Sequence, residues 1–212
     1  MRSEGSWPRP THHRTHPWTT SPRTWNSVQD LIQLASNPSA TVTFANSGTG
    51  TTAHLAGEMF NHMAGTRMIS VPYKGGGPAM SDLLGGHVQV YFSTIPAALP
   101  HIESGKVRAL AVTSTSRLPE LPHVATVAES GLAGFEVNAW LGLFAPSRTP
   151  LSIVTLLHSE STKVLAAADV RQRLVQHGVM PGGGTSDGQR NYLAADMAKW
   201  RRVVQAANIR LE

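Results

Sequence analysis

At 212 residues, with 41% apolar and 15% charged side chains, the chain is long enough to bury a real core as one domain or two small ones. The absence of cysteine excludes disulfides, thiolate nucleophiles and zinc–thiolate sites, and no apolar run approaches the length of a membrane-spanning helix. The net charge of +5 is not a nucleic-acid signature, because Arg2, Arg9, Arg14 and Arg23 against Glu4 place +3 of it in residues 1–26, and the nearly neutral rest has no basic stripe with interleaved aromatics.

Residues 1–26 hold Trp7, Trp18 and Trp25, four prolines, His12, His13 and His16, and many Ser and Thr, with no helical or strand period. The composition predicts a disordered tail. No apolar segment lies between charge and cleavage site, so no signal peptide is recognisable. The three histidines could pick up a metal ion, but a tract without supporting groups is a poor site, and none is assigned.

From Ser27 the pattern alternates between helix and strand, as in α/β layers. Ser27 caps a predicted helix to about Ser36, and a strand follows near Thr41 to Phe44. A glycine-rich turn leads into a helix ending at Ala64, with Gly65 as its C-cap. Then come strand Met68 to Val71, helix Pro78 to Leu84, strand Val88 to Phe92, helix Ala97 to Glu103 and strand Val107 to Val112. A proline-rich loop precedes a short helix from Ala125 to Ser130, and the chain enters an extended run, Phe135 to Ala145, that reads as a crossing to another lobe. Thr149-Pro150 caps a long helix to about Ala167, Asp169 starts a shorter one to Gln176, and the last spans Ser186 to Ala206. In that last helix Leu193, Met197, Trp200, Val204 and Ala207 recur at four- and three-residue steps, which predicts one buried face.

The two turns that follow the first two strands carry the chemistry. Ser47-Gly48-Thr49-Gly50-Thr51 precedes a helix bearing His54. Unpaired N–H groups and the positive end of the helix dipole at such a start can seat a carboxylate or phosphate. Tyr73-Lys74-Gly75-Gly76 repeats the design and adds an ammonium and an amphipathic aromatic ring. Turns of this composition also serve as plain connectors, Lys74 reads equally as a solvated charge, and Tyr73 as a core edge.

Enzymatic constellations are missing. Gly48-x-Gly50 has Ala53 where a dinucleotide fingerprint needs its third glycine, and no G-x-x-x-x-G-K-[ST] loop occurs. Ser47 is not in a G-x-S-x-G elbow. His54, Glu58 and His62 recur at four-residue steps, but each step drifts about 40° around the helix, so no metal site is assigned. No catalytic residue and no cofactor is expected.

Ser47-Gly48-Thr49-Gly50-Thr51 with His54-Leu55-Ala56-Gly57-Glu58, then Val71 to Gly76, Gly105 to Thr113 and Trp140 to Pro146 closely resemble the extracytoplasmic solute-binding receptors of tripartite tricarboxylate transporters, the Bug receptors. The resemblance implies an α/β clamshell of the type II periplasmic binding protein kind that closes on a small organic acid and delivers it to membrane permease subunits. It implies a periplasmic location, no nucleic-acid partner and no direct membrane insertion. By position, Ser47, Gly48, Thr49, Gly50, Thr51 and His54 form one side of the ligand seat, with Tyr73, Lys74, Gly75, Gly76 and Ser93 beside it.

The resemblance divides the chain into a tail unrelated to the family, 1–26, a complete second lobe, 27–134, and a return to the remnant of the first lobe, 135–212. Most of the first lobe and the export signal have no counterpart, so the chain reads as a truncated member, with a non-functional remnant or an anion-binding α/β enzyme as the alternatives. Exposed apolar faces and weak ligand affinity are expected of such a chain. Where many members carry an acidic residue after the third strand, this chain has Ser93-Thr94. A hydroxyl cannot pair with an ammonium as a carboxylate does, which implies a ligand with carboxylates and no amine.

Overall fold

The computed structural model describes residues 25–176, 179–182 and 184–209. The tail expectations for residues 1–24, including Trp7, Trp18 and the three histidines, lie outside the described residues. Trp25, placed in the tail by composition, is instead 6% exposed and packs with Val28 and Leu31 in the main core. Its proline-rich surroundings masked an apolar anchor.

Helix α1 (Val28–Ala35) begins where the sequence predicts, because Ser27 and Asp30 form a reciprocal capping box. Three short parallel strands follow, β1 (Thr43–Asn46), β2 (Ile69–Pro72) and β3 (Val90–Tyr91), in the order β2-β1-β3. Between and after them run α2 (Thr52–Ala64), α3 (Gly76–Leu84) and α4 (Ile95–Glu103). Gly65 ends α2 at φ 66°, a left-handed C-cap that other residues adopt at a cost.

The register sets Asn46 against Pro72 and Ala45 against both Val71 and Tyr91. Strand β3 is shorter than the apolar run predicts because the Gln89 side chain takes over part of the ladder. Its Oε1 accepts from the Thr43 N–H and hydroxyl, both at 2.8 Å.

Two predicted elements are absent from the described residues. Val107 to Val112 forms no strand; Val112 makes a single bridge to Thr126, although Val107, Ala111 and Val112 are all buried. The apolar pattern identified burial correctly, but no neighbouring backbone completes a ladder. Ala125 to Ser130 is a turn rather than a helix. Thr126 and Glu129 exchange bonds there, N–H to Oε2 at 2.8 Å and N–H to Oγ1 at 2.9 Å, which closes one turn and stops. The backbone bond from Thr126, followed by Arg117, holds the Glu129 carboxyl below its ordinary range.

The core falls into three clusters. The main one joins α1, β1 and α2 around Phe44, Phe60 and Phe135, with Phe44 and Phe92 edge to face at 6.0 Å. A second joins β1, α3 and β3 through Ala45, Leu83 and Tyr91, and a third gathers Val112, Leu121 and Val124.

The C-terminal part is built differently. Helices α5 (Leu151–Ala166), α6 (Ala168–Gln176) and α7 (Ser186–Ala206) contain no fully buried residue. Pro150, not a threonine hydroxyl, stands at the start of α5, without a side-chain cap. The predicted buried face of α7 is only half-buried: Trp200 packs on the main core together with Val203 from outside that face, Leu193, Val204 and Ala207 are half-buried, and Met197 is 55% exposed. The extended run before α5 leaves Leu141 98%, Leu143 67% and Phe144 60% exposed. It is fastened by Trp140, whose indole N–H donates to Asp196 at 3.0 Å and whose ring meets Tyr192 edge-on at 5.7 Å.

Candidate functional site

Three parallel strands side by side deliver the turns that follow them to one edge of the sheet, the place where open α/β folds put ligands. The predicted residues therefore converge. The Tyr73 N–H donates to the Asn46 carbonyl at 3.0 Å, and a Cβ at Gly48 would lie 3.6 Å from the Tyr73 carbonyl, so the first two turns touch. A Cβ at Gly76 would lie 3.0 Å from the Tyr91 hydroxyl, so the start of α3 meets the end of β3. Ser93, half-buried, stands beside that same hydroxyl and donates to the Thr94 carbonyl at 3.1 Å.

Asn46 builds the first turn. Fully buried, it accepts from the Gly48 N–H at 2.9 Å through Oδ1 and donates to the Ser70 hydroxyl at 2.9 Å through Nδ2. Sequence reasoning missed it, because a polar residue closing an apolar strand reads as the first loop residue. Gly48 sits at φ 129° and Gly50 at φ 79°, conformations that side chains resist. Thr51 caps α2: its hydroxyl accepts from the His54 N–H at 3.4 Å and donates to the Gly48 carbonyl at 2.6 Å. Among the described residues, the N–H groups of Thr49, Thr52 and Ala53 have no internal partner. Ser47 is half-buried and Thr49 exposed at the mouth.

The second turn is also left open at its helix start. Gly75 precedes α3 at φ 106° and offers no side-chain cap, and Thr94 likewise leaves α4 uncapped. The N–H groups of Gly76 and Gly77 point out of the first turn of α3 without a partner among the described residues. Lys74 is exposed and forms no ion pair with the described residues. Tyr73 is turned inward, its hydroxyl donating to Asp82 at 2.7 Å. Burial, and then Asp82, push its hydroxyl up to about 12, so it stays protonated and holds the turn against α3. Its role is that of the core edge, with the ammonium left to Lys74.

His54 is 7% exposed, and its Nε2 lies 3.8 Å from Glu58 Oε1. Glu58 is raised above its ordinary 4.5 by burial, with His54 opposing the shift. A carboxyl whose folded value is raised contributes stability that is full below 4.5 and is lost as pH rises through the folded value. Glu58→Gln is therefore expected to be more stable than the parent at pH 7 and equal to it at pH 3, read by urea denaturation. A parent more stable than the variant at pH 7 would mean that the His54 attraction outweighs burial. Among the described residues, no cluster of three or more metal-ligating side chains forms.

A concavity of about 770 Å³ lies between the start of α1 and residues 105–110, and two of its polar side chains are engaged internally. Arg108 donates to Asn26 Oδ1 and Gln29 to the Ser130 carbonyl. No described helix is long and apolar enough to cross a membrane.

With the site in view, the comparisons are specific. Residues 19–209 match the family described as "Tripartite tricarboxylate transporter family receptor". Protein BugT of Bordetella pertussis is 35% identical over 187 residues, 88% of this chain and 57% of its own length. The structure of Rhodopseudomonas palustris Rpa4515 with adipate superposes with a TM-score of 0.84 at 36% identity, covering 91% of this chain and 64% of that one. MatC from the same organism, with bound malate, gives 0.77 at 29% identity, covering 84% and 62%. The periplasmic binding protein BugD gives 0.76 at 32%, covering 88% and 63%. The chain thus spans little more than half the length of the curated relatives it matches. It shares their α/β architecture and belongs to the tripartite tricarboxylate transporter receptor family.

Proposed function

We propose that this chain contributes to an extracytoplasmic solute receptor that captures a small dicarboxylate without an amine and delivers it to membrane permease subunits. The observation that carries the reading is the delivery of three helix starts to one sheet edge, two of them uncapped by side chains, with Lys74 on the second turn exposed and without an ion pair among the described residues. Free N–H groups of Thr52, Ala53, Gly76 and Gly77 suit carboxylate oxygens, and the ammonium adds a charge-assisted bond. Ser93, in place of an acid, supplies no negative charge to pair with an ammonium. Adipate in one solved relative and malate in another, both dicarboxylates without amines, support the same ligand class. Nothing in this arrangement supplies a nucleophile with its base, and the reading is of a receptor, not an enzyme.

The described α/β unit would form one wall of the cleft, corresponding to the second lobe of a clamshell, with residues 135 onward leading towards the first. With one wall alone, the chain of this sequence should bind adipate in roughly the millimolar range. Calorimetric titration with adipate, malate and 6-aminohexanoate tests this. Both diacids should bind, the amino acid should not, and Lys74→Met should weaken adipate by roughly three- to tenfold. Tight binding of the amino acid, or indifference to Lys74→Met, would contradict the reading. The exposed Leu141, Leu143 and Phe144 favour a second reading, in which the chain binds only once a complementary surface covers them.

A further inference from the structure

We propose that His54 is a positioning residue of this site, acting through Gly50, and not one of the groups that touches the ligand. The proposal rests on the receptor reading for its ligand arm alone. The Gly50 N–H donates to His54 Nδ1 at 3.1 Å, across the start of α2. That nitrogen therefore carries no proton, and in the neutral ring the proton sits on Nε2. Nε2 in turn faces Glu58 Oε1 at 3.8 Å, with the whole residue 7% exposed. Nδ1 is thus committed to the turn, while Nε2, too far from Glu58 for a hydrogen bond, is kept from a ligand by the burial of the residue alone.

What the ring does is visible in the turn it closes. The segment 48–51 is pinned at three places: the Gly48 N–H by Asn46, the Gly48 carbonyl by Thr51, and the Gly50 N–H by His54. The last of these ties the exposed tip of the turn to the helix it precedes and holds Gly50 at φ 79°. It withdraws one donor from the mouth and fixes the direction of those that stay open, at Thr49, Thr52 and Ala53. The charged surroundings do not compete for the ring. β1 and β2 carry no titratable side chain. On α7, Asp187 pairs with Arg190, Asp196 with Trp140, and Lys199 with the Glu136 carbonyl, while Arg201 and Arg202 are exposed. Lys74 is exposed on the second turn, and Tyr73 there is held by Asp82.

Two substitutions separate positioning from ligand contact, because asparagine places an acceptor near the position of Nδ1 and glutamine places one near Nε2. Amide hydrogen exchange on the full chain gives the first readout. In the parent, the Gly50 amide should exchange more slowly than that of Thr49, despite the exposure of both. His54→Asn should keep that protection within about twofold, whereas His54→Gln and His54→Ala should speed Gly50 exchange by roughly five- to tenfold, the worth of one hydrogen bond. Core amides such as that of Ala45 should not change in the Asn and Gln variants, which shows that the fold is intact. Adipate affinity should follow the same order, the Gln variant weaker by roughly tenfold and the Asn variant within threefold. A Gly50 amide that exchanges as fast as Thr49 in the parent would overturn the proposal without any variant. So would retained affinity in His54→Gln with loss in His54→Asn, since Nε2 would then be the ligand contact. If adipate fails to bind the parent, the receptor reading falls, and Gly50 exchange still decides the role of His54.

Discussion

Gly57→Ala is expected to destabilise the chain by about 3 kcal/mol, lowering the melting temperature by roughly 6–12 °C. Two effects of opposite sign compete at this position. Alanine in the middle of a helix is normally favoured over glycine by about 1 kcal/mol. Here, however, a Cβ would lie 2.1, 2.5 and 2.6 Å from the Cε2, Cζ and Cδ2 atoms of Phe44, a ring with no solvent exposure. The ring cannot swing away, because Phe92 meets it edge to face and Phe60 belongs to the same packed cluster. Inserting the methyl must therefore push α2 off β1, and that movement also displaces the turn that α2 begins. Denaturant unfolding of Gly57→Ala, alone and with Phe44→Leu, checks the account. The smaller side chain should recover a large part of the loss, so the two changes should be strongly non-additive. A gain in stability on Gly57→Ala, as helix propensity alone would give, would show that the two elements do not pack this closely.

Asn46→Ala is expected to cost about 2 kcal/mol of stability and to weaken adipate binding by roughly tenfold. The stability loss follows from what is left behind: the Gly48 N–H and the Ser70 hydroxyl lose their partner at a residue with no exposure. The binding loss follows because Asn46 sets the path of Ser47 to Thr51 from beneath. Unfolding measurements and titration of the same variant separate the two effects. A stability change below about 0.5 kcal/mol would mean that water replaces the side chain easily, and that the turn is not built from the strand end as described.

Much of this architecture is legible in the sequence, for identifiable reasons. Ser27 with Asp30 and Gly65 after Ala64 are local signals whose partners lie within a few residues, and α1 starts and α2 stops accordingly, while α3 starts at Gly76, two residues ahead of the predicted Pro78. Gly48, Gly50 and Gly75 sit at positive φ where the turn chemistry called for them. Strands were less legible because their existence depends on a distant partner. The run from Val107 to Val112 is buried as its composition suggests but finds no ladder, and β3 gives up a residue of pairing to the Gln89 side chain. The face of α7 was misjudged for a related reason: periodicity shows which side chains align, not whether anything lies opposite them. Met197 aligns with Trp200 and is still open to solvent.

At the site, the sequence identified the turns but not their internal wiring. His54 enters the ligand seat through the family resemblance and Tyr73 reads either as a ligand group or as a core edge; in the structure His54 Nδ1 accepts from the Gly50 N–H and the Tyr73 hydroxyl donates to Asp82. Asn46 and Tyr91 carried no local signal, since an amide closing one strand and a phenol closing another acquire meaning only when the strands are adjacent. Lys74 is the reverse case: its position after β2 was visible, and the structure leaves its ammonium free among the described residues. The exposed apolar side chains of residues 141–157 also belong to this picture. They fit a surface meant to be covered, in a chain that spans only part of the length of its solved relatives.

The central claim is that a small dicarboxylate sits where the turns after β1 and β2 meet. Following backbone amide chemical shifts during titration with adipate tests this most directly. The account predicts saturable shifts concentrated at Thr49, Thr52, Ala53, Gly76 and Gly77, abolished or strongly weakened by Lys74→Met. Saturable shifts confined to the concavity around Gln29, Arg108 and His123, with those amides unmoved, would place the ligand elsewhere and contradict it.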